Sequence, residues 1–167
     1  VTKTMDTIDG IDGLCAGVAT IAAITLTMIA VYEGQPRVAL ITAATGGAAL
    51  GFLRHNYNPA KIFMGTGGAY ILGFFLASLS VVGKVKTAAA VSIFMPMLGF
   101  ALPSLDAFWV ICRRVLSGAP ITAPDKRHLH HTLLGKGFTQ RQTVWILYIA
   151  AAALSAIGLA IIKLFGQ

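Results

Sequence analysis

The sequence predicts an all-α protein, a polytopic transmembrane helix bundle of about five spans with a His-rich loop on one face. Three observations predict it. Hydrophobic residues make up 56% of the chain and charged residues only 11%, against roughly 25% charged in soluble domains. Mean hydropathy is +0.77, so the chain has too little charge to cover itself in water. Apolar runs alternate with short polar loops, and the runs approach the roughly 17–25 residues that a spanning helix needs.

The first run is 13–32. The second, 38–53, is short and rich in Ala, Gly and Thr, which predicts a helix packed inside the bundle. Gly46, Gly47, Ala48, Ala49 and Gly51 would allow close helix contact in lipid. The third run is 67–83. The fourth, 87–112, is interrupted by Pro96 and Pro103. The fifth, 143–165, is the clearest, and Thr139-Gln140-Arg141-Gln142 before it reads as a capping box. No solenoid repeat or low-complexity tract is evident.

Five spans put loops 1–12, 54–66 and 113–142 on one side. That side holds Lys3, Arg54, Lys61, Arg113, Arg114, Lys126, Arg127, Lys136 and Arg141. The other holds Arg37, Lys84, Lys86 and Lys163. Basic loops favour the cytoplasm, so the first side is expected to be cytoplasmic. The net charge of +7 sits in short juxtamembrane loops, which argues against a nucleic-acid partner. Cys15 and Cys112 lie in or beside apolar runs, with neither disulfide nor zinc spacing. The chain opens on Val1 and passes straight into polar residues, with no signal peptide in view; the expectation is that the natural N-terminus lies further upstream.

Spans one, three and five all start at the cytoplasmic side, and helix N-termini favour anions. Asp9 and Asp12 stand three apart in IDGIDG, at the mouth of the first span. They could bind a nucleotide or a divalent cation, with Gly10 and Gly13 letting the backbone approach. Alternatively, Asp12 caps the helix, Gly10 makes a turn and Asp9 is solvated. Gly65-Thr66-Gly67-Gly68 could cradle a phosphate, or could serve tight packing with a Thr66 cap. Asp106 lies in an apolar run, where an ionisable group suggests function unless it pairs with Arg113 or Lys61.

The stretch 123–142 is the most polar interval between apolar segments. It opens with Pro124 and stops at Gly135 or Gly137, as a short interfacial helix would. Leu129 and Leu133 would face the membrane, and His128 and His131 would share the opposite side, with His130 between them. The imidazoles could bind phosphate or carry protons, or could simply titrate. No cysteine is near enough to suggest zinc.

IDGIDGL, NYNPAKIFMG, the segment from Pro103 to Asp106 with Arg113-Arg114, and PDKRHLHHTLLGKGFTQRQTV together resemble the polyprenyl-phosphate N-acetylhexosamine-1-phosphate transferases. The histidine loop is closest to the undecaprenyl-phosphate N-acetylglucosamine-1-phosphate branch. The resemblance implies a Mg2+-dependent reaction at the cytoplasmic face of the bacterial inner membrane. Undecaprenyl phosphate would attack the β-phosphate of a UDP-N-acetylhexosamine and release UMP, in cell-wall or surface-glycan synthesis. It implies Asp9, Asp12, His128, His130 and His131 as catalytic residues, with Asp9 and Asp12 at the metal. It implies substrate contacts at Asp6, Asn56, Lys61, Gly65, Gly67, Asp106, Arg113 and Arg127. It also makes a homodimer an expectation.

The departures matter too. The family has about ten spans and an aspartate pair in its N-terminal half without counterpart here. Asp6 stands where the family has asparagine, and Thr66 where it has a metal-binding aspartate. Residues 1–167 thus read as the C-terminal half of a longer transferase domain, inactive alone. The rival readings are a homologue that binds polyprenyl phosphate or UDP-sugar without turnover, and a transporter or scaffold subunit whose basic loop meets only lipid headgroups.

Overall fold

A computed structural model describes residues 1–82 and 133–165 of the chain. Within them lie five helices: α1 (Thr2–Ile8), α2 (Leu14–Tyr32), α3 (Pro36–Asn56), α4 (Gly65–Val82) and α5 (Gln140–Phe165). Four of these, α2 to α5, are long and apolar enough to cross a membrane. They match four of the predicted runs to within three residues at each end. The run 87–112 lies outside the described residues, as does most of the histidine loop.

Helix α2 is the hub. It packs against α1, α3, α4 and α5. Its span is 67% buried, against 22–28% for the other three. The sequence explains this: Cys15, Ala16, Val18, Ala19, Ala22 and Ala23 are all buried, and such small side chains let neighbours approach from several sides. Gly46 of α3 meets α2 so closely that a Cβ there would stand 3.0 Å from the Ala23 methyl.

The expectation that α3 lies inside the bundle is corrected among the described residues. Only one of its faces uses small residues for contact. A Cβ on Gly47 or Gly51 would meet nothing within 4 Å, and Leu40 is 73% exposed. Outward-facing Ile71, Phe74, Phe75, Ile149 and Leu164 likewise give α4 and α5 apolar surfaces suited to lipid.

The α2–α3 connection follows from Gly34. It adopts φ +67°, which glycine tolerates without strain. The Gln35 N–H then bonds the Ala30 carbonyl (2.8 Å) and the Gly34 N–H the Val31 carbonyl (3.1 Å). This is a Schellman stop, and Pro36 starts α3 immediately after it.

Residues 1–12 were expected to be a loop, but α1 occupies most of that stretch. A seven-residue polar segment is a marginal helix by itself. Tertiary packing supplies what propensity lacks. Met5 and Ile8 share one face and are buried. Met5 sits over Gly73 of α4, where a Cβ would stand 2.8 Å from Thr2 Cα and 3.1 Å from Met5 Cγ.

Candidate functional site

The turn 9–13 is held at one end of the bundle by three other segments. Gly13 caps α2 in a left-handed conformation, φ +83°. Its N–H donates to Asn56 Oδ1 at the end of α3 (3.1 Å). Its carbonyl accepts from the Tyr148 hydroxyl of α5 (2.6 Å). Asp12 does not cap α2. Its Oδ2 instead accepts from the Ala60 N–H (3.0 Å) and from Asn58 Nδ2 (3.1 Å). Asn58 also donates to Gln140 Oε1 at the start of α5, and its carbonyl accepts from Arg141 Nε (3.2 Å).

Helix α5 begins as its sequence predicts. The Thr139 N–H donates to Gln142 Oε1 (2.9 Å) and the Gln142 N–H donates to Thr139 Oγ1 (3.3 Å), a reciprocal capping box. The preceding helical turn at 133–135 stops at Gly137, φ +92°, with the Gly137 N–H on the Leu134 carbonyl. That is one of the two stops that the glycines offered.

Asp9 differs from Asp12. It is half-buried and lies beside the Gly65 backbone at the start of α4. Burial first, and then the Asp6 charge, push its carboxyl up to about 6, with the Gly65 backbone acting in the opposite sense. Asp6 itself is paired with Lys3 at 2.6 Å, which raises the lysine pKa. Lys3 also reaches the Tyr70 hydroxyl of α4 (3.3 Å). Asp6 therefore acts on Asp9 through charge while its own carboxylate is engaged.

Asn56, expected to contact substrate, is 3% exposed. Its oxygen holds Gly13 and its amide donates to the Ile62 carbonyl (2.9 Å). Both ends of the side chain are occupied by framework, so the structure gives it the task of tying two loops together.

Lys61 is exposed on the 57–64 loop. Gly65 and Gly67 are exposed in the first turn of α4, and a Cβ on either would meet nothing within 4 Å. Packing thus does not demand glycine at these two positions, although φ +65° does at Gly65. At Gly68 a Cβ would meet Met64 Cγ at 2.6 Å. Thr66 lies inside the helix start and not at its cap. Asp106, Arg113, Arg127, His128, His130 and His131 lie outside the described residues.

Among the described residues no group of three or more His, Cys, Asp or Glu is arranged to hold a metal. Asp9 is the donor that fits a hard cation best. It is an oxygen acid whose raised pKa a nearby cation would relieve. Asp12 has one oxygen committed to the 58–60 loop. A Mg2+ here would need further oxygens from phosphate or water, as Mg2+ sites commonly have.

Three residues of this end were not singled out by sequence reasoning. Asn58 gave no signal beyond its place before Pro59. Tyr148 did give one: a polar-tipped aromatic inside an apolar span usually finds a partner. Gly17 gave one as well, since Gly13 and Gly17 are four apart, a spacing that admits a close neighbour.

These features define a class: a multi-pass helical membrane protein with an acid-bearing, glycine-rich polar end built from the starts of three spans. The model of the glycosyl transferase family 4 matches residues 1–84, just over half of the 167. The chain belongs to glycosyl transferase family 4. It is 36% identical over 149 residues to a probable undecaprenyl-phosphate N-acetylglucosaminyl 1-phosphate transferase of Bacillus subtilis, covering 89% of this chain and 42% of that protein. It is 36% identical over 168 residues to a decaprenyl-phosphate N-acetylglucosaminephosphotransferase of Mycobacterium tuberculosis, with coverage of 89% and 42%. It is 30% identical over 155 residues to the undecaprenyl-phosphate alpha-N-acetylglucosaminyl 1-phosphate transferase of Escherichia coli K12, with coverage of 90% and 42%. The chain spans less than half the length of these curated relatives.

Proposed function

We propose that this chain forms part of a phosphoglycosyltransferase that moves N-acetylhexosamine-1-phosphate from a UDP-sugar to polyprenyl phosphate at the cytoplasmic face of the bacterial inner membrane. The observation that carries this reading is the clamped turn 9–13: Asp9 beside the α4 start, with Asn56, Asn58 and Tyr148 fixing its flank. The names of the relatives favour polyprenyl phosphate as acceptor and N-acetylglucosamine-1-phosphate as the group transferred.

In this reading an oxygen of the lipid phosphate attacks the β-phosphorus of the UDP-sugar. The bond from that phosphorus to the α–β bridging oxygen breaks, and UMP leaves with that oxygen. Such a reaction chiefly needs positioning and neutralisation of charge. Bound Mg2+, held by Asp9 and the free oxygen of Asp12, would supply the neutralisation. The α4 start, where Gly65 and Gly67 leave room beside the backbone, suits phosphate oxygens. Lys61, Arg113, Arg127, His128, His130, His131 and Asp106 are assigned to the same anionic substrate from the family pattern. Asp6 sets the charge at Asp9, and Asn56 holds the loop. A homodimer belongs to the same expectation.

The test is UMP release from UDP-N-acetylglucosamine by the full-length protein in nanodiscs containing undecaprenyl phosphate. Asp9→Asn is expected to abolish release, with UDP-sugar binding weakened. Unchanged turnover in Asp9→Asn would sink the assignment. Thr66 supports a second reading, binding without turnover, because a hydroxyl stands where the family carries an aspartate. That reading expects UDP-sugar binding with no UMP release, and release gained on Thr66→Asp.

A further inference from the structure

Arg141 lies in the first turn of α5, directly after Gln140 opens the helix. A helix N-terminus carries partial positive charge, so a cation there is electrostatically misplaced. Helix α3 obeys the rule at the same end of the bundle, where its last turn carries Arg54 and His55. Helix α5 breaks it, and its first turn holds no acidic residue to compensate. A broken local rule of this kind points to function before stability.

The guanidinium is also anchored through one nitrogen. Its Nε donates to the Asn58 carbonyl at 3.2 Å. Asn58 is held in turn by Asp12 and Gln140. Among the described residues the terminal nitrogens of Arg141 have no hydrogen-bond partner and make no ion pair. Arg141 is exposed. A planar guanidinium oriented through Nε, with its terminal donors open, matches the geometry of phosphate oxygens. It would also answer the charge conflict, since an anion there satisfies both the arginine and the helix terminus.

We propose that Arg141 is a phosphate-binding residue: the Asn58 carbonyl holds its Nε, and its terminal nitrogens take the oxygens of a phosphate brought to the Asp9–Asp12 end. This role deepens the transferase reading and rests on it for the identity of the anion. The phosphate can come from the nucleotide-sugar or from the lipid acceptor.

The experiment uses the full-length protein in phosphatidylcholine nanodiscs, as wild type, Arg141→Gln and Arg141→Lys. Binding is measured for pyrophosphate, UDP-N-acetylglucosamine, uridine, undecaprenyl phosphate and undecaprenol. Arg141→Gln is expected to weaken the phosphate-bearing ligands about ten- to a hundredfold, the range of a lost charge-assisted hydrogen bond or two. Uridine and undecaprenol should be unaffected. Arg141→Lys keeps the charge without the fork and should recover part of the loss, which a folding defect would not allow.

Loss on pyrophosphate and UDP-N-acetylglucosamine assigns Arg141 to the donor; loss confined to undecaprenyl phosphate assigns it to the lipid. Equal losses on phosphate-free ligands, or no loss on any ligand, overturn the proposal. If pyrophosphate binds through Arg141 and UDP-N-acetylglucosamine does not bind, the phosphate role stands and the transferase reading falls. If UDP-N-acetylglucosamine binds wild type and Arg141→Gln alike, and undecaprenyl phosphate does so too, the transferase reading stands and the role falls. If wild type binds no phosphate ligand, both fall.

Discussion

Gly17→Ala tests whether α5 is keyed into the start of α2. A Cβ at Gly17 would stand 2.0 Å from the Tyr148 hydroxyl oxygen, 2.1 Å from Cζ and 2.3 Å from Cε1. Ordinary contact begins near 3.4 Å, so the ring must retreat by 3.4 − 2.0, or about 1.4 Å. The bond from Tyr148 to the Gly13 carbonyl is 2.6 Å long and does not survive a move of that size away from Gly13. Overpacking costs roughly 1–3 kcal/mol, and the lost hydrogen bond adds about 0.5–1.5 kcal/mol. Alanine returns roughly 0.5–1 kcal/mol through helix propensity. The net expectation is a loss of about 0.5–4 kcal/mol, read as a lower denaturation midpoint of the protein in detergent or nanodiscs. The sign should reverse in a Tyr148→Ala background, where the obstruction is gone and only the propensity gain remains. Equal destabilisation by Gly17→Ala in both backgrounds would refute the keyed contact.

Other perturbations follow from the same geometry. Gly73→Ala places a methyl 2.8 Å from the Thr2 backbone, so α1 should lift from α4 at a cost of about 1–3 kcal/mol; amide exchange in 2–8 should rise while α2 stays protected. Asn56→Leu leaves the Gly13 N–H and the Ile62 carbonyl without their partner. Two orphaned groups predict a loss of roughly 2–6 kcal/mol, checked by thermal unfolding. Asp9 should titrate near 6, above the ordinary 3.8, and Asp6→Asn should lower that value because the Asp6 charge helps to raise it; infrared carboxylate bands report it. A raised carboxyl contributes its full stability below the unfolded value and loses it as pH rises through about 6. The melting temperature of Asp9→Asn relative to wild type should therefore climb between pH 4 and pH 7 in metal-free buffer.

The spans were legible because each is a long apolar run, and length is what a bilayer measures. The capping box at Thr139 and Gln142, and the stop at Gly137, were legible because caps are local chemistry written in adjacent residues. Helix α1 was not legible, since its helical state depends on Gly73, which lies 65 positions beyond the end of α1. The same holds for Asp12. Sequence spacing offered a helix cap or a ligand; the side chain does not cap α2, and one of its oxygens reaches the loop at Asn58 and Ala60. Which face of α3 carried its contacts was hidden for a related reason: Gly46 and Gly47 are equivalent by composition and differ only in which one α2 approaches.

The polar end and the buried hub are two consequences of one constraint. Within the hydrocarbon region every backbone group must be satisfied by the helix itself, so irregular backbone such as 57–64 belongs where water or protein side chains can serve it. Asn56 does so from the end of α3, and Tyr148 reaches the same turn from within α5, leaving little freedom at the Gly13 peptide. Helix α2 is the only described span with neighbours on most of its circumference. A turn attached to its first residue inherits that rigidity, which is what a site must have to hold phosphates in line. Loosening the hub should therefore disturb Asp9 and Arg141 together, because the turn, the 58–60 loop and the α5 start are joined through Asp12 and Asn58. A double-mutant cycle between Gly17→Ala and Arg141→Gln on phosphate affinity should then show coupling, and strict additivity would mean that the arginine is placed by its own loop alone.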